Sequence, residues 1–325
     1  MLTIPPMERD PVLIAVEVLR EGGLVALPTE TVYGLGADAD NELAVRQIFA
    51  AKGRPASHPL IVHIASAGQL EQWARIVPDE ARALANAFWP GPLTLILPKR
   101  RRVSHAVTGD QDTVGLRVPA HPLTQRVLAA FGGGVAAPSA NKFGRVSPTT
   151  AEHVRRDLGA EIDYVLDGGP CTVGVESTIV DLSSEEPAVL RPGGLAIEDI
   201  ERVLGRAVPV RENSEVRAPG QLASHYAPRA GLVLTEPADA ASKAVQLARA
   251  GQRVAVIAPA EVEVPTEATR FEIPADPPGF ARELYRLLRE IDAAGYDVIV
   301  AAAPPESGLG VAVRDRLRRA AAPRS

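Results

Sequence analysis

The chain has 325 residues, with 35 basic and 40 acidic side chains, a formal net charge of −5 and 46% hydrophobic residues. This balance is typical of a globular protein of about two domains, and it argues against a strongly basic, histone-like nucleic-acid binder. The single cysteine, Cys171, excludes an intramolecular disulfide framework and a cysteine-rich zinc site. No apolar run reaches the roughly 18 residues of a membrane span, and the first residues lack a signal-peptide pattern. We therefore expect a cytoplasmic protein.

Residues 1–205 mix helical and strand patterns. Asp10 can cap a helix that begins at Pro11, and apolar residues recur at helical spacing as far as Gly22. The apolar run 24–27 predicts a short buried strand that stops at Pro28. Further helices are predicted at 41–51, 66–74, 79–88, 121–131, 149–158 and 197–204, and further strands at 60–64, 93–97, 114–118, 135–137 and 179–182. This mixture predicts one α/β domain with a mixed sheet.

Residues 206–230 have no sustained periodicity and carry several prolines and glycines, which predicts a linker. A connector of that length is usually functional or disordered. Beyond it, strands at 232–234, 253–258 and 298–302 alternate with helices at 238–250, 278–294 and 310–321. The alternation predicts a small Rossmann-like parallel sheet. We expect a first domain over 1–205, a linker over 206–230 and a second domain over 231–325.

Several common catalytic motifs are absent. The sequence has no G-x-x-x-x-G-K-[ST] phosphate loop and no G-x-S-x-G nucleophile elbow. Its six histidines show no H-x-x-x-H or H-x-H pairing, so a histidine-rich metal site is not expected.

Short polar side chains instead follow two of the predicted strands. Thr29, Glu30 and Thr31 follow the strand 24–27, and Ser139 and Asn141 follow the strand 135–137. In extended chain Ser139 and Asn141 point to the same side. Polar groups in such positions are typical of a ligand-facing loop, although an ordinary turn would also explain the first group.

Three further pieces allow two interpretations each. Lys52 and Arg54 close a predicted helix, where they could complement its dipole or bind phosphate oxygens. His63 lies in an apolar strand, as a core histidine or as a ligand-binding one. The segment 147–149 opens a predicted helix, as a simple N-cap or as an anion site.

In chain order these pieces resemble one family. The motifs are PTET-YGLG (28–36), KGRP (52–55), PL-x-x-H (59–63), GLR-x-P (115–119), PSAN (138–141), SPT (147–149), G-x-ESTI-x-D (174–181) and LRPG (190–193). Together they resemble the YrdC-like domain. The linker adds PG-x-x-x-x-HYAP at 219–228, so the chain as a whole, from about residue 10 to 320, resembles the two-domain threonylcarbamoyl-AMP synthases. Each motif is weak alone, whereas eight in order with the linker signature are specific.

The resemblance implies a twisted mixed α/β sheet followed by a smaller Rossmann-like domain. It implies an L-threonylcarbamoyladenylate synthase, a nucleotidyltransferase that converts L-threonine, bicarbonate or CO2 and ATP into threonylcarbamoyl-AMP and pyrophosphate. Mg²⁺ would arrive with ATP, with no dedicated metal site on the protein. The product would pass to downstream tRNA threonylcarbamoyl-transferase proteins, which modify tRNA beside the anticodon.

Residue roles follow from motif position in the resemblance. L-threonine would be held by Thr31, His63, Arg117, Ser139 and Ser177, with the Arg117 guanidinium on the carboxylate. ATP would be surrounded by Lys52, Arg54, His58, Thr113, Asn141, Ser147, Thr149, Arg191 and Tyr226. Lys52 and Arg54 would also stabilise charge on the reacting phosphates. Position 58 departs from the family pattern, which has Asn or Asp there. His225 and Tyr226 would lie on a linker that closes the site against water.

Two other functions are compatible with parts of the sequence. The run Lys99–Arg102 could contact RNA phosphates weakly, although a solvated surface loop explains four basic residues on an acidic chain with few aromatic residues. A related YrdC-like domain in hydrogenase maturation uses carbamoyl phosphate. That protein carries zinc-finger modules, and this cysteine-poor chain has none.

Overall fold

The computed structural model describes residues 9–211, 214–222 and 224–323. Its first sheet contains nine strands: β1 (Val25–Leu27), β2 (Gly34–Asp38), β3 (Ile61–His63), β4 (Leu93–Pro98), β5 (Thr113–Arg117), β6 (Val135–Ala136), β7 (Tyr164–Val165), β8 (Thr178–Asp181) and β9 (Ala188–Arg191). The strand order is β7-β1-β2-β6-β3-β5-β4-β8-β9. Because β3–β5 and β4–β8 are parallel while β1–β2 and β4–β5 are antiparallel, the predicted mixed sheet is confirmed.

Helices flank this sheet close to the predicted positions. They are α1 (Pro11–Arg20), α2 (Glu42–Lys52), α3 (Leu70–Trp73), α4 (Asp79–Phe88), α5 (His105–Thr108), α6 (Pro122–Phe131), α7 (Ala151–Leu158) and α8 (Ile197–Leu204). The Asp10 carboxylate accepts from the Val12 amide at 3.0 Å and so caps α1, with Pro11 in its first turn.

Several local predictions were wrong or incomplete. Helix α5 and strand β7 were not predicted, and no strand was predicted over Gly34–Asp38, which forms β2. Its glycines mask the strand pattern, and Gly36 is required because a Cβ there would lie 2.9 Å from Val135 Cγ1. Helix α7 begins two residues later than predicted, since Thr150 rather than residues 147–149 provides the N-cap. Strand β9 was also missed, since its four residues end directly at the LRPG motif.

The second part of the chain forms a four-stranded, all-parallel sheet of order β10-β13-β11-β12. Its strands are β10 (Gly231–Thr235), β11 (Val254–Ala258), β12 (Thr269–Glu272) and β13 (Val298–Ala302), and its helices are α9 (Ala240–Arg249), α10 (Pro277–Ala294) and α11 (Leu309–Ala321). The Rossmann-like parallel unit is confirmed. The edge strand β12 was not predicted, because its half-exposed side chains lack an apolar pattern.

The two sheets are joined by a shared core. Phe280 and Leu284 of α10 belong to the same buried cluster as Val32, Val146 and Val175 of the first part. The connecting residues 206–211, 214–222 and 224–230 contain no helix or strand, only single bridges from Val210 and Ala227. Within the described part of the chain, no helix combines the length and apolar character needed to cross a bilayer.

Gly174 of the first part packs closely against the backbone of helix α10 in the second part. It has φ +84°, and a Cβ would lie 2.4 Å from the Arg282 Cα of helix α10. Gly169 has a similar φ of +78° with no atom within 4 Å of the added Cβ. The pair therefore separates the cost of the left-handed backbone from the cost of the interdomain clash.

We predict that Gly174→Ala destabilises the protein more than Gly169→Ala does. The control should lose only the backbone cost of about 1–2 kcal/mol. Gly174→Ala should lose about 1–3 kcal/mol more, because helix α10 must move away. Urea unfolding curves of both variants measure the difference, and equal losses would contradict the close packing at Gly174.

Candidate active site

A partly open cavity of about 50 Å³ lies between strand ends of the first sheet and the linker. Its wall brings together segments that are distant in sequence, because the sheet order places β2, β3, β5 and the ends of β8 and β9 near one another. The residues that line it are Thr29, Thr31, Val32, Gly34, Arg54, Ile61, His63, Arg117, Ala137, Pro138, Ser139, Glu176, Ser177, Arg191, Pro219, Gly220, His225 and Tyr226.

Arg117 ends strand β5 and forms a buried ion pair. Its Nη2 donates to Glu30 Oε1 at 2.6 Å, and Nε donates to the Gly91 carbonyl at 3.2 Å. The second oxygen of Glu30 accepts from the Ala120 amide at 2.9 Å. Glu30 therefore fixes the guanidinium in one orientation at the cavity wall.

Lys52 and Arg54 turn inward at the end of helix α2. Gly53 adopts φ +61° at the C-cap, which reverses the chain at this point. The Lys52 ammonium donates to the carbonyls of Ser139 and Asn141, both at 2.5 Å, and Arg54 Nη2 donates to the Pro59 carbonyl at 2.9 Å. Burial and the nearby Arg54 charge lower the Lys52 pKa well below its usual value.

Arg191 ends strand β9 and connects the ESTI motif to the linker. Its Nη2 donates to the Ser177 carbonyl at 2.8 Å and to Ser177 Oγ at 3.1 Å, while Nη1 donates to the Pro219 carbonyl at 2.9 Å. Ser177 Oγ also shares a hydrogen bond with Thr94 at 2.8 Å. The arrangement holds one more guanidinium and one hydroxyl at the cavity.

Glu176 is the second buried carboxylate of the cavity wall. It accepts from Ser147 Oγ at 2.6 Å, from Tyr285 Oη at 2.9 Å and from Arg316 Nε at 2.7 Å. Burial opposes its charge, but the guanidiniums of Arg316 and Arg191 and the hydrogen bond from Ser147 lower the pKa of Glu176 to about 2. The carboxylate is therefore ionised at neutral pH.

Several buried polar atoms at the cavity have no hydrogen-bond partner in the described part of the chain. They are Arg54 Nε, His63 Nδ1, His225 Nδ1 and Tyr226 Oη, and their residues all line the cavity. Unsatisfied buried polar atoms are rare in native proteins and call for an explanation. Four of them around one cavity indicate a polar ligand.

A row of aromatic contacts connects the first domain to the linker and to helix α10. His58 packs on Phe143 with ring centroids 5.4 Å apart, and Phe143 packs on His225 at 5.9 Å. His225 packs on Tyr226 at 4.1 Å, and Tyr226 stacks on Tyr285 at 6.0 Å. Residues 217–222 and 224–228, here called the lid, therefore close one side of the cavity.

The structure brings most of the predicted site residues together. Thr31, His63, Arg117, Ser139 and Ser177 line the cavity, as do Arg54, Arg191 and Tyr226. The other predicted residues lie behind or beside its wall. They are Lys52, which donates to the PSAN loop, Asn141 within that loop, Ser147 on Glu176, Thr149 beside His153, His58 on Phe143, and Thr113.

Thr113 lines a second, smaller cavity. This cavity also contains Ile96, Ile179 and Arg217, and it shares Ile61 and Pro219 with the first. Its apolar side chains and its place directly beside the first cavity make it a continuation of the same site beneath the lid.

Sequence reasoning missed the roles of Glu30 and Glu176. The sequence places Glu30 in a polar loop and Glu176 in the ESTI motif, but it assigns neither residue a role. Both are buried carboxylates next to predicted cation positions, and their arginine partners lie 87 and 140 residues away. No local pattern could have paired them. Cys171 is buried, and burial raises the pKa of its thiol to about 12, which excludes it as a nucleophile at neutral pH.

Comparisons with known proteins show the family of the chain. A family model described as "Telomere recombination", for the Sua5, YciO and YrdC proteins, matches residues 17–193. The chain belongs to this family. A second model, described as the C-terminal domain of threonylcarbamoyl-AMP synthase, matches residues 195–322.

Individual relatives match over nearly the whole chain. The threonylcarbamoyl-AMP synthase of Pyrococcus abyssi is 44% identical, over 97% of this chain and 95% of its own. That of Bacillus subtilis is 42% identical, over 94% of this chain and 92% of its own. The crystal structure of P. abyssi Sua5 complexed with L-threonine aligns with a TM-score of 0.90 at 43% identity, covering 95% of this chain and 94% of that one.

The buried histidines of the cavity predict a specific acid sensitivity. Burial, together with the nearby charge of Arg117, lowers the His63 pKa to about 3, and burial lowers the His225 pKa to about 3. In the unfolded chain both titrate near 6.5. Below that pH the unfolded chain binds more protons than the folded one. The stability is therefore complete above about pH 6.5 and falls as the pH drops towards 3.

We predict that each of these two histidines makes the protein about 1.4 kcal/mol less stable at pH 5.5 than at pH 7.5. His225→Gln should therefore reduce the pH dependence of the unfolding free energy by about that amount. Urea titrations of the wild-type and variant proteins at both pH values provide the measurement. An unchanged pH dependence in the variant would show that His225 is protonated in the folded protein.

Proposed function

We propose that this chain is an L-threonylcarbamoyladenylate synthase that joins L-threonine, bicarbonate or CO2 and ATP into threonylcarbamoyl-AMP and pyrophosphate. The observation that carries the proposal is one cavity lined by three guanidiniums, two serine hydroxyls and residues that carry four buried polar atoms without a partner among the described residues. Guanidiniums bind carboxylate and phosphate oxygens, and both groups occur in these substrates. The family membership and the L-threonine complex of P. abyssi Sua5 support the same assignment.

L-threonine is assigned to the side of the cavity formed by Thr31, His63, Arg117, Ser139 and Ser177. The Arg117 guanidinium, oriented by Glu30, suits the carboxylate as a planar fork. Neutral His63 and the serine hydroxyls can exchange hydrogen bonds with the amine and the hydroxyl of the amino acid. Val32, Ile61 and Ala137 supply apolar surface for its methyl group.

ATP is assigned to the side formed by Arg54, Arg191 and Tyr226, with Lys52 behind the PSAN loop, Asn141 in that loop, and Ser147 and Thr149 in the segment that precedes α7. The slot around Thr113, with its isoleucines, has a volume of only about 10 Å³, so we assign the adenine ring to it only in the wider arrangement of the lid proposed below. His58 contributes through its contact with Phe143. Buried Lys52, Arg54 and Arg191 offer positive charge that is already desolvated and held in place, which is the electrostatic stabilisation that phosphoryl chemistry needs.

We propose that Mg²⁺ accompanies ATP. The chain suits such a metal only through the nucleotide, because the described residues contain no group of three His, Cys, Asp or Glu placed to hold a metal ion. Mg²⁺ commonly keeps several waters and binds through phosphates. When bound there, it would neutralise phosphate charge beside the arginines.

The chemistry requires positioning and no protein nucleophile. The threonine amine attacks CO2, loses a proton and forms an N–C bond, which gives a carbamate. A carbamate oxygen then attacks the α-phosphorus of ATP, and the α–β phosphoanhydride bond breaks to release pyrophosphate. Holding the three reactants together can supply up to ~7–11 kcal/mol of the barrier. The lid would exclude water from the unstable carbamate.

The cavity is too small for ATP in this arrangement. About 50 Å³ is well below the roughly 300–1,000 Å³ of a site for a larger ligand. We therefore propose that the lid moves to admit the nucleotide and then closes over it in a wider arrangement than the one described here. The contacts that must part on the side of the first domain include Arg191–Pro219 and Gly144–Ala227.

A direct RNA-binding function is less well supported. The cation Lys99 is buried against Thr108, and Arg102 pairs with Asp40 at 2.8 Å and lies over the Trp73 ring at 4.6 Å. Lys99 and Arg102 are therefore engaged by neighbouring residues of the same chain. Transfer of the product to tRNA is assigned to downstream tRNA threonylcarbamoyl-transferase proteins, with at most a weak tRNA contact here.

The first test is release of pyrophosphate from ATP and Mg²⁺, combined with mass spectrometry of the adenylate. L-threonine and bicarbonate are omitted in turn. We expect release to require both, and the product to have the mass of threonylcarbamoyl-AMP. Turnover that needs carbamoyl phosphate instead would contradict the proposal.

We predict that Arg54→Ala and Ser139→Ala reduce product formation by about 10²-fold or more, because each removes a polar group at the cavity. Arg46→Ala on the exposed face of helix α2 and Ser184→Ala on an exposed turn are matched controls. Both controls should retain wild-type rates in the pyrophosphate assay. Normal turnover by Arg54→Ala would remove it from the catalytic assignment.

A further inference from the structure

Arg316 of helix α11 connects three active-site segments from inside the second domain. Its side chain is fully buried. Nε donates to Glu176 Oε2 at 2.7 Å in the ESTI motif, and Nη2 donates to the Pro192 carbonyl at 3.0 Å in the LRPG motif. The guanidinium also lies 5.0 Å from the ring centroid of Tyr226 in the lid. None of the sequence motifs includes this residue.

Tyr226 depends on its neighbours for its position. Its φ of +60° is a left-handed conformation that a tyrosine adopts only when its surroundings enforce it. Its hydroxyl has no partner among the described residues, so the side chain is held by its ring alone. The ring contacts come from Arg316, His225 and Tyr285. Two of these three residues belong to the second domain.

Helix α11 also holds the backbone of the lid. Arg319 Nη1 donates to the Leu222 carbonyl at 2.8 Å, and the His225 amide donates to the Arg319 carbonyl at 3.2 Å. Asp315 orients both arginines, accepting from Arg319 Nε at 2.9 Å and from Arg316 Nη1. The lid is therefore attached to the same helix that carries Arg316.

We propose that Arg316 is a positioning residue that holds Tyr226 over the cavity and makes lid closure depend on docking of the second domain. This proposal rests on the proposed function only in one respect, the link between lid closure and catalysis. The guanidinium does this by binding Glu176 and Pro192 with its edge while its face meets the Tyr226 ring. When helix α11 moves away, Tyr226 loses this contact and the lid loses its closed conformation.

Lysine cannot replace arginine in this role. An ammonium can neutralise Glu176, but it lacks the planar fork that also reaches Pro192 and the flat face that packs on an aromatic ring. Arg316→Lys therefore separates a role in burying charge from a role in positioning. If Arg316 only neutralised Glu176, lysine would restore wild-type behaviour.

The primary test is amide hydrogen exchange of the full-length protein without substrates. In Arg316→Lys we expect the lid amides of His225 and Ala227 to exchange at least tenfold faster than in wild type. The amides of strands β11 and β13 should keep their protection, which shows that the second domain remains folded. Unchanged exchange in the lid with those strands protected would overturn the proposal.

Two matched variants control the measurement. Arg314→Lys lies on the same helix, and Arg314 pairs with Glu236 and Glu306 inside the second domain, so its lid amides should exchange as in wild type. Tyr226→Phe keeps the ring and should also keep protection, whereas Tyr226→Leu should lose it. The double variant Tyr226→Leu with Arg316→Lys should exchange its lid amides no faster than Tyr226→Leu alone. Multiplicative effects would show that Arg316 does not act through Tyr226.

A variant without the buried charges covers the case in which Arg316→Lys does not fold. Glu176→Gln combined with Arg316→Gln removes both charges, so neither remains unpaired. We expect a folded second domain with rapid lid exchange. Loss of protection in β11 and β13 in both variants would make Arg316 a folding residue and overturn the proposal.

Kinetics provide the second readout. If only a fraction of molecules has a closed lid, the apparent affinity falls by that fraction, and saturating substrate restores closure. Arg316→Lys should therefore raise the KM for ATP about tenfold while kcat changes less than about threefold. A lowered kcat with unchanged KM would contradict positioning of the lid. Absence of turnover in the wild-type protein would instead contradict the proposed function, and the exchange experiment would still decide on Arg316.

Discussion

The buried Glu176 carboxylate is the interaction on which the rest of the site depends. An ionised carboxylate inside a protein is costly unless charged and hydrogen-bonding partners surround it. Glu176 receives them from both parts of the chain, with Ser147 from the first and Tyr285 and Arg316 from the second. The ESTI loop is therefore fully satisfied only when the second domain is docked. Because Ser177 is the next residue, these contacts of Glu176 also fix the position of Ser177 at the cavity.

The cations at and around the cavity are satisfied either by buried carboxylates or by carbonyl oxygens. Arg117 pairs with Glu30, Arg316 pairs with Glu176, and Arg191 is satisfied by carbonyl oxygens. Arg54 and Lys52 have no carboxylate partner among the described residues; they donate to carbonyls, and burial lowers the pKa of both, that of Arg54 to about 10. The free-energy cost of bringing these positive charges together is overcome when the protein folds. An anionic ligand would then gain from donors that need not reorganise, which is the condition for strong electrostatic catalysis.

The lid shows how strain can be distributed between two domains. Tyr226 adopts an unfavourable backbone conformation, yet the residue is buried and packed on rings from its own segment and from helix α10. Such a conformation persists only when neighbouring structure over-determines it. Because Tyr285 belongs to the second domain and His225 to the linker, the conformation of Tyr226 depends on packing of the second domain as well as on the linker itself.

Sequence patterns could predict the helices and the longer strands because each carries a local signal. Asp10 and Pro11 fix the start of α1, and the apolar runs define β1, β4, β11 and β13. Strand β2 escaped prediction because Gly36 is required by its close contact with Val135 and not by strand propensity. The same difference between local and long-range signals applies to the residues of the site. Arg54, Arg117 and Arg191 stand in recognisable motifs, whereas Arg316 stands in none and only its fold position reveals it. Its partners are 124 and 140 residues away. A side chain that joins distant loops can be recognised only from its contacts in the folded structure. A single sequence therefore identifies the residues that line a cavity more readily than the residues that hold the cavity closed.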